Sequence, residues 1–417
     1  MDSYVMKNCI RGLLLLLLGC FCTPASAQWG FLMPQGMRQL EIPFEYTNNF
    51  IIVTVTFNKT LPLKMIFDTG AEHTILSKRE ISDALYVRYD REFRLTGADL
   101  TTEMVAYLAR NIHLAIPGLP FIAPQEDILV LQEDYFRFEA YAGVSVHGIL
   151  SARAFSRYIF NINYQKQVIT LYDRANFRSP GTGFQQMPVE VFRNKLYLQA
   201  PIAFQVDTAT TVKLLLDTGA ALPLLLFSNT DPLLQAPKNA IPSNIAMGLG
   251  GYLEGFVGRI NSLAIGNFQQ KSIVTYFQEI DTAQDLSYLN NRNGLVGNLV
   301  LHRFQVVIDY DGARIWLKPA GNFRKRYAFD RSGLSLIAGG VTLHQFTVQL
   351  VAPNTPAAAA GVLPGDQILR IGITPAAILE LADIQQRFQK KVDKKINLVL
   401  LREGKKIKIS FRLRELI

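Results

Sequence analysis

The chain has 417 residues, 49% of them hydrophobic and 18% charged, with a formal net charge of +9. That balance excludes an intrinsically disordered chain, and the length points to two or three domains with cores of ordinary size. The cationic excess is local, because 11 basic and 3 acidic residues follow from Arg387 onward and so account for +8 of the +9.

The N-terminal stretch reads as a targeting segment. Lys7 and Arg11 precede an apolar run from Leu13 to Leu18 and on through Phe21, and Ala25-Ser26-Ala27 offers a small-x-small cleavage site before Gln28. Residues 1–27 are expected to be a signal peptide, which makes the mature protein an exported one, periplasmic or extracellular. A rival reading lies in the same segment: Leu17-Leu18-Gly19-Cys20 resembles a bacterial lipoprotein processing signal, which would leave Cys20 acylated and the chain anchored to a membrane. All three cysteines, Cys9, Cys20 and Cys22, precede Ala27. Cleavage there leaves no disulfide and no thiolate metal site.

From Leu40 to Val55 apolar residues come at short, often alternating intervals (Ile42, Phe44, Ile51, Val53, Val55), the pattern of strands with one buried face. The chain then reaches a phrase that it repeats. Met65-Ile66-Phe67-Asp68-Thr69-Gly70-Ala71 returns as Leu214-Leu215-Leu216-Asp217-Thr218-Gly219-Ala220, each time an apolar run leading one carboxylate into a tight turn. A single Asp-Thr-Gly is weak, but the surroundings repeat too. An apolar-Gly-apolar-apolar element follows each copy, with Gly148 lying 80 residues beyond Asp68 and Gly294 lying 77 beyond Asp217. Tyr164 and Tyr310 each stand 16 residues past their glycine. Two related half-domains of roughly 140 residues follow.

Paired carboxylates brought close together cannot both ionise cheaply, so the pair holds one shared proton and offers one base and one acid. Such a pair activates water against an amide carbonyl and protonates the leaving nitrogen without metal or cofactor.

On these residues the chain resembles the aspartic peptidases, in particular the bacterial retropepsin-like group with two lobes in one polypeptide, over about residues 40 to 320. The resemblance implies a mainly β fold, a bilobal aspartic-protease-like pair of β-barrels, with Asp68 and Asp217 as the catalytic dyad. It implies that Thr69 and Thr218 brace the dyad across the lobe interface, and that Gly70 and Gly219 let the turns approach closely. Two hairpins would be candidate flaps over the substrate, one at Leu95–Thr102 with Gly97 and one at Ala246–Tyr252 with Gly250 and Gly251; a plain surface hairpin is the alternative for each. Two departures stand out. The first glycine element ends in Ser151 where the second ends in Gly297, and His73 lies five residues after Asp68, where a surface or edge histidine is the simple reading.

The break Ser179-Pro180-Gly181-Thr182-Gly183 separates an N-terminal lobe, 28–180, from a C-terminal lobe, 184–320. After a basic linker the last stretch, 327–417, resembles a PDZ domain through Asn354–Gly361 and Leu363-Pro364-Gly365-Asp366. That resemblance implies that Gly333, Leu334, Ser335 and Leu336 form the loop that captures a peptide C-terminus, although Ile371-Gly372-Ile373 replaces the family's Asn-Gly turn. Leu381, Ile384 and Phe388 at helical spacing suit the helix that walls such a groove. The last strand alternates Ile407, Ile409 and Phe411 with Lys406, Lys408 and Arg412, and a solvated basic face is the simple reading. Without an aromatic platform, nucleic acid is not an expected partner.

The expected protein is an exported aspartic endopeptidase acting on peptides or proteins, with a PDZ domain that recruits a peptide end or regulates access. It needs no cofactor and no metal, and a monomer holds both aspartates. A catalytically silent peptide-binding protein on the same fold is the alternative.

Overall fold

A computed structural model of the chain describes residues 31–96, 103–121, 125–135, 137–205, 208–248, 251–280 and 287–417. The targeting segment with Cys9, Cys20 and Cys22 lies outside them, as do Gly97 and Gly250. Among the described residues no helix is long and apolar enough to cross a membrane.

The strands Leu61–Asp68 and Thr208–Leu216 carry the two repeated phrases. Met65, Ile66 and Phe67, and likewise Leu214, Leu215 and Leu216, are buried, as continuous apolar runs must be when both faces of a strand are covered. Each strand lies inside an eight-stranded sheet. The first sheet runs, in spatial order, 45–47, 50–57, 61–68, 148–151, 75–76, 125–131, 103–115, 89–96; the second runs 190–192, 195–205, 208–216, 294–296, 224–227, 268–278, 251–265, 241–248. Position by position the orders are the same. In each sheet a long strand also folds back onto another, 50–57 on 103–115 and 195–205 on 251–265, which rolls the sheet toward a barrel.

The repeated register explains the repeated words. Met65 pairs with Gly148 and Leu214 with Gly294 in the parallel ladders beside each aspartate. The antiparallel neighbour on the other side leaves no room for a side chain at either glycine: a Cβ on Gly148 would lie 2.0 Å from the Ile75 carbonyl oxygen, and one on Gly294 would lie 1.9 Å from that of Leu225. The apolar-Gly element is therefore a packing requirement that each lobe meets separately.

A six-stranded sheet joins the lobes. Its order, 39–43, 168–172, 159–163, 304–309, 314–319, 185–188, takes three strands from each side of the Ser179–Gly183 break. At its middle Phe160 pairs with Ile308 and Ile162 with Val306. One buried apolar cluster, including Phe67, Phe155, Phe160, Val296 and Phe304, runs through both lobes.

The third module has its own core, including Leu336, Phe346, Ile384, Phe388 and Leu400, under a sheet ordered 334–339, 345–351, 367–371, 395–402, 405–412. Helix Leu381–Phe388 buries Leu381, Ile384 and Phe388, one face at the expected spacing, and a reciprocal capping pair between Glu380 and Asp383 fixes its start. The linker into this module is fastened to the second lobe. Arg303 stacks over the ring of buried Tyr327, 3.5 Å from its centroid, and Arg259 donates to the Tyr327 carbonyl at 3.0 Å. The architecture is the mainly β one expected from the sequence, two lobes followed by a third module.

Candidate active site

The two repeated turns meet at the lobe interface. The backbone amide of Thr69 donates to Thr218 Oγ1 at 3.0 Å, and the amide of Thr218 donates to Thr69 Oγ1 at 3.1 Å. Each hydroxyl then donates back across the interface, Thr69 Oγ1 to the Leu216 carbonyl at 2.7 Å and Thr218 Oγ1 to the Phe67 carbonyl at 2.9 Å. Four reciprocal bonds, between threonines that are each 1% exposed, lock the turns against one another. An unpaired hydroxyl in such a place would cost about 1–3 kcal/mol, so the grip depends on both threonines.

The aspartates sit just in front of this grip. Gly70 donates its amide to Asp68 Oδ1 at 2.6 Å, and Gly219 donates to Asp217 Oδ1 at 2.9 Å, orienting the two carboxylates alike. Each glycine also faces the opposite aspartate. A Cβ on Gly70 would lie 2.7 Å from Cγ of Asp217, and one on Gly219 would lie 2.4 Å from Cγ of Asp68. The missing side chains are what allow each carboxylate to lie under the other lobe's turn.

Burial raises both carboxyls above the usual range. For Asp68 the negative charge of Asp217 adds to burial, while the Gly70 amide and Lys195 pull the other way. Asp217 is raised by burial and held down by its hydrogen bond with Asp68, the charge of Arg292, the Gly219 amide and Lys195. The pair thus retains a proton, and Arg292 favours the anion on the Asp217 side. Lys195 and Arg292 were not singled out by sequence reasoning. Arg292 stands two residues before Gly294 and was legible by position, but Lys195, at the start of strand Lys195–Gln205, carries no local signal.

Asn298 is a second addition, fully buried behind the second turn. Its Nδ2 donates to the Thr218 carbonyl and, at 2.9 Å, to the Asn49 carbonyl of the first lobe, while its Oδ1 accepts from Tyr164 at 2.7 Å. The departure at Ser151 also has a structural use: Ser151 Oγ donates to the Ala71 carbonyl at 2.7 Å, and its amide donates to Thr74 Oγ1, which in turn donates to Glu126. Gly297 cannot be a serine in the same way, because a Cβ there would lie 2.2 Å from the Leu222 carbonyl oxygen. His73 is exposed, 3.9 Å from Glu72, and takes the surface reading.

Both hairpins form. Tyr89–Thr96 pairs with Glu103–Ala115 up to Thr96 opposite Glu103, and Ile241–Gly248 pairs with Gly251–Ile265 up to Gly248 opposite Gly251. Of the three glycines expected at these tips only Gly251 lies within the described residues.

In the third module Gly333 takes a φ of +85°, and a Cβ there would lie 2.2 Å from Thr355 Oγ1, so only glycine fits. The loop's amides are partly spoken for by the chain itself. Ser332 and Gly333 donate to Asp330 Oδ1 at 2.8 and 2.6 Å, and Leu334 donates to Ser332 Oγ at 3.1 Å. Burial pushes Asp330 up to about 6. Ser335 and Leu336 enter the strand Leu334–Gly339, with a bulge between them.

Residues 347–402 match the family model of the PDZ domain. No curated protein sequence matches the chain. Two of the solved structures that match the chain do so at low identity. An aspartic proteinase from Irpex lacteus is 13% identical with a TM-score of 0.45, covering 68% of this chain and 98% of its own. Basic 7S globulin from soybean is 9% identical with a TM-score of 0.41, covering 68% of this chain and 95% of its own.

Proposed function

We propose that the chain is an aspartic endopeptidase of the two-lobed, retropepsin-like kind, exported and carrying a C-terminal PDZ domain for peptide recognition or control of access. The observation that carries this reading is the reciprocal placement of Asp68 and Asp217, each oriented by its own glycine amide and lying under the other lobe's glycine.

The chemistry follows from the one proton that the pair holds. Asp217, beside the charge of Arg292, is the carboxylate that takes a proton from the attacking water. Asp68, raised by burial and by the charge of Asp217, is the acid that gives its proton to the carbonyl oxygen as the tetrahedral centre forms. Asp217 then hands its proton to the departing nitrogen as the C–N bond breaks, and the acid is restored from the gem-diol. The threonine grip keeps the two turns in register while the charge moves between them, and no proton leaves the pair's immediate surroundings.

A catalytically silent peptide-binding protein is the second reading. Incubation with a mixed peptide library from pH 3 to pH 8, with new termini read by mass spectrometry, separates the two. New termini are the expected result; peptides retained without being cut favour the binding protein.

A further inference from the structure

The PDZ strand Leu334–Gly339 stands at the end of its sheet and has a hydrogen-bonded neighbour strand on one side only. Such an edge, beside helix Leu381–Phe388, is where a peptide adds as an extra strand. In this chain the first lobe is already there. Its helix Phe138–Ala142 packs against the strand. The next residue, Gly143, lies against the flanking helix, where a Cβ would come within 2.8 Å of the Leu381 Cβ. Tyr141 of the same segment accepts a hydrogen bond from Gln349 Nε2 at 3.3 Å. One short segment thus touches the edge strand, the helix facing it and the neighbouring strand.

We infer that residues 138–143 of the first lobe hold the PDZ groove shut from within the same chain, and that an incoming peptide must displace them to add to the strand. Gly143 is suited to this place, since its φ of +65° ends the helix in a left-handed turn and its bare backbone passes Leu381 closely. The amides of Ser332, Gly333 and Leu334 already have acceptors within the chain, in Asp330 and Ser332.

The segment also reaches the dyad, which links this inference to the proposed peptidase. Phe138 and Ala142 belong to the apolar cluster that Ala71 and Ala221, the residues just beyond the two turns, pack against. Asn48 Nδ2 donates to the Ala142 carbonyl, and the adjacent Asn49 carbonyl accepts from Asn298, which holds the Thr218 carbonyl. Moving residues 138–143 therefore loosens a chain of contacts that ends at the Asp217 turn. A peptide at the PDZ groove and the resting shape of the cleft wall compete for the same segment.

The test uses the full chain with Asp68→Asn, so that no probe is cut and the outcome is independent of catalysis. The probes are fluorescein-labelled hexapeptides with free carboxyl termini and Val, Leu, Ile or Phe in turn at the last position, and binding is followed by anisotropy. The expected result is that Tyr141→Ala with Gln349→Ala binds the best probe about tenfold more tightly, because the displaced contact no longer competes. Hydrogen exchange on the chain without those two substitutions gives an arm that does not depend on them: saturating peptide should speed exchange of the amides of 138–143. Equal affinity with and without the substitutions, no binding by either, or unchanged exchange at 138–143 under a bound peptide would each overturn the inference.

Discussion

The Tyr164 hydroxyl of the first lobe donates to Asn298 Oδ1 of the second at 2.7 Å, whereas its counterpart 16 residues after Gly294, Tyr310, keeps a buried hydroxyl with no protein partner among the described residues. The lobes repeat, but Ala152 stands where Asn298 stands in the second copy, directly after Ser151 or Gly297. The pseudo-twofold relation thus supplies a partner on one side only.

Replacing these tyrosines should have opposite consequences. Tyr164→Phe leaves the buried Asn298 oxygen unpaired and is expected to cost about 1–3 kcal/mol, with a lowered thermal midpoint. Tyr310→Phe removes an unsatisfied hydroxyl at constant shape and is expected to be neutral or to raise the midpoint. Differential scanning calorimetry of the two variants beside the parent checks both signs, and equal losses would count against the asymmetry.

The pH dependence of stability should have a component from Glu126. Burial lifts this carboxyl from its ordinary 4.5 to about 7, with Thr74 and Arg153 pulling it down and Asp127 pushing it up. A carboxyl raised in the folded state binds its proton more tightly there than in the unfolded chain, so stability falls as pH rises from about 4.5 to 7. Glu126→Gln removes that fall. Denaturation at pH 5 and at pH 8 should show the variant losing less than the parent, by up to ~3 kcal/mol; parallel losses would place the ionisation elsewhere.

Arg292 and Lys195 should divide the pH profile between them. Arg292 favours the anion of Asp217, and Lys195 acts on both carboxyls. Arg292→Gln raises the pKa of the base, so the acid limb of kcat/KM is expected to move to higher pH by about one unit or less. Lys195→Met should move both limbs upward. A profile that does not respond to Arg292→Gln would contradict the assignment of Asp217 as the base.

Much of the site was legible because it is local and said twice. Asp-Thr-Gly fixes a turn, its glycine amide and its carboxylate within three residues, and the glycine element beside it obeys a steric rule visible as a word in the sequence. The reason for Ser151 against Gly297 was not legible, since it depends on which carbonyls, of Ala71 in one lobe and of Leu222 in the other, close over the position. Lys195 and Asn298 act on turns far away in sequence, through strand order rather than spacing. The contact of Tyr141 with Gln349 joins residues 208 apart on different modules, and neither residue differs by type or pattern from an ordinary surface amide or tyrosine. The resemblance to PDZ domains located the third module in the chain but not the first-lobe segment that packs against it.

If Asp68 and Asp217 form one catalytic unit, as proposed, peptide cleavage by Asp68→Asn and Asp217→Asn measured beside the parent will show it. Each substitution keeps the side chain's shape and its ability to accept from the glycine amide, so the thermal midpoint should hold within a few degrees while cleavage falls by at least about a thousandfold in both. Cleavage that survives either substitution, in a protein that remains folded, would contradict a shared dyad.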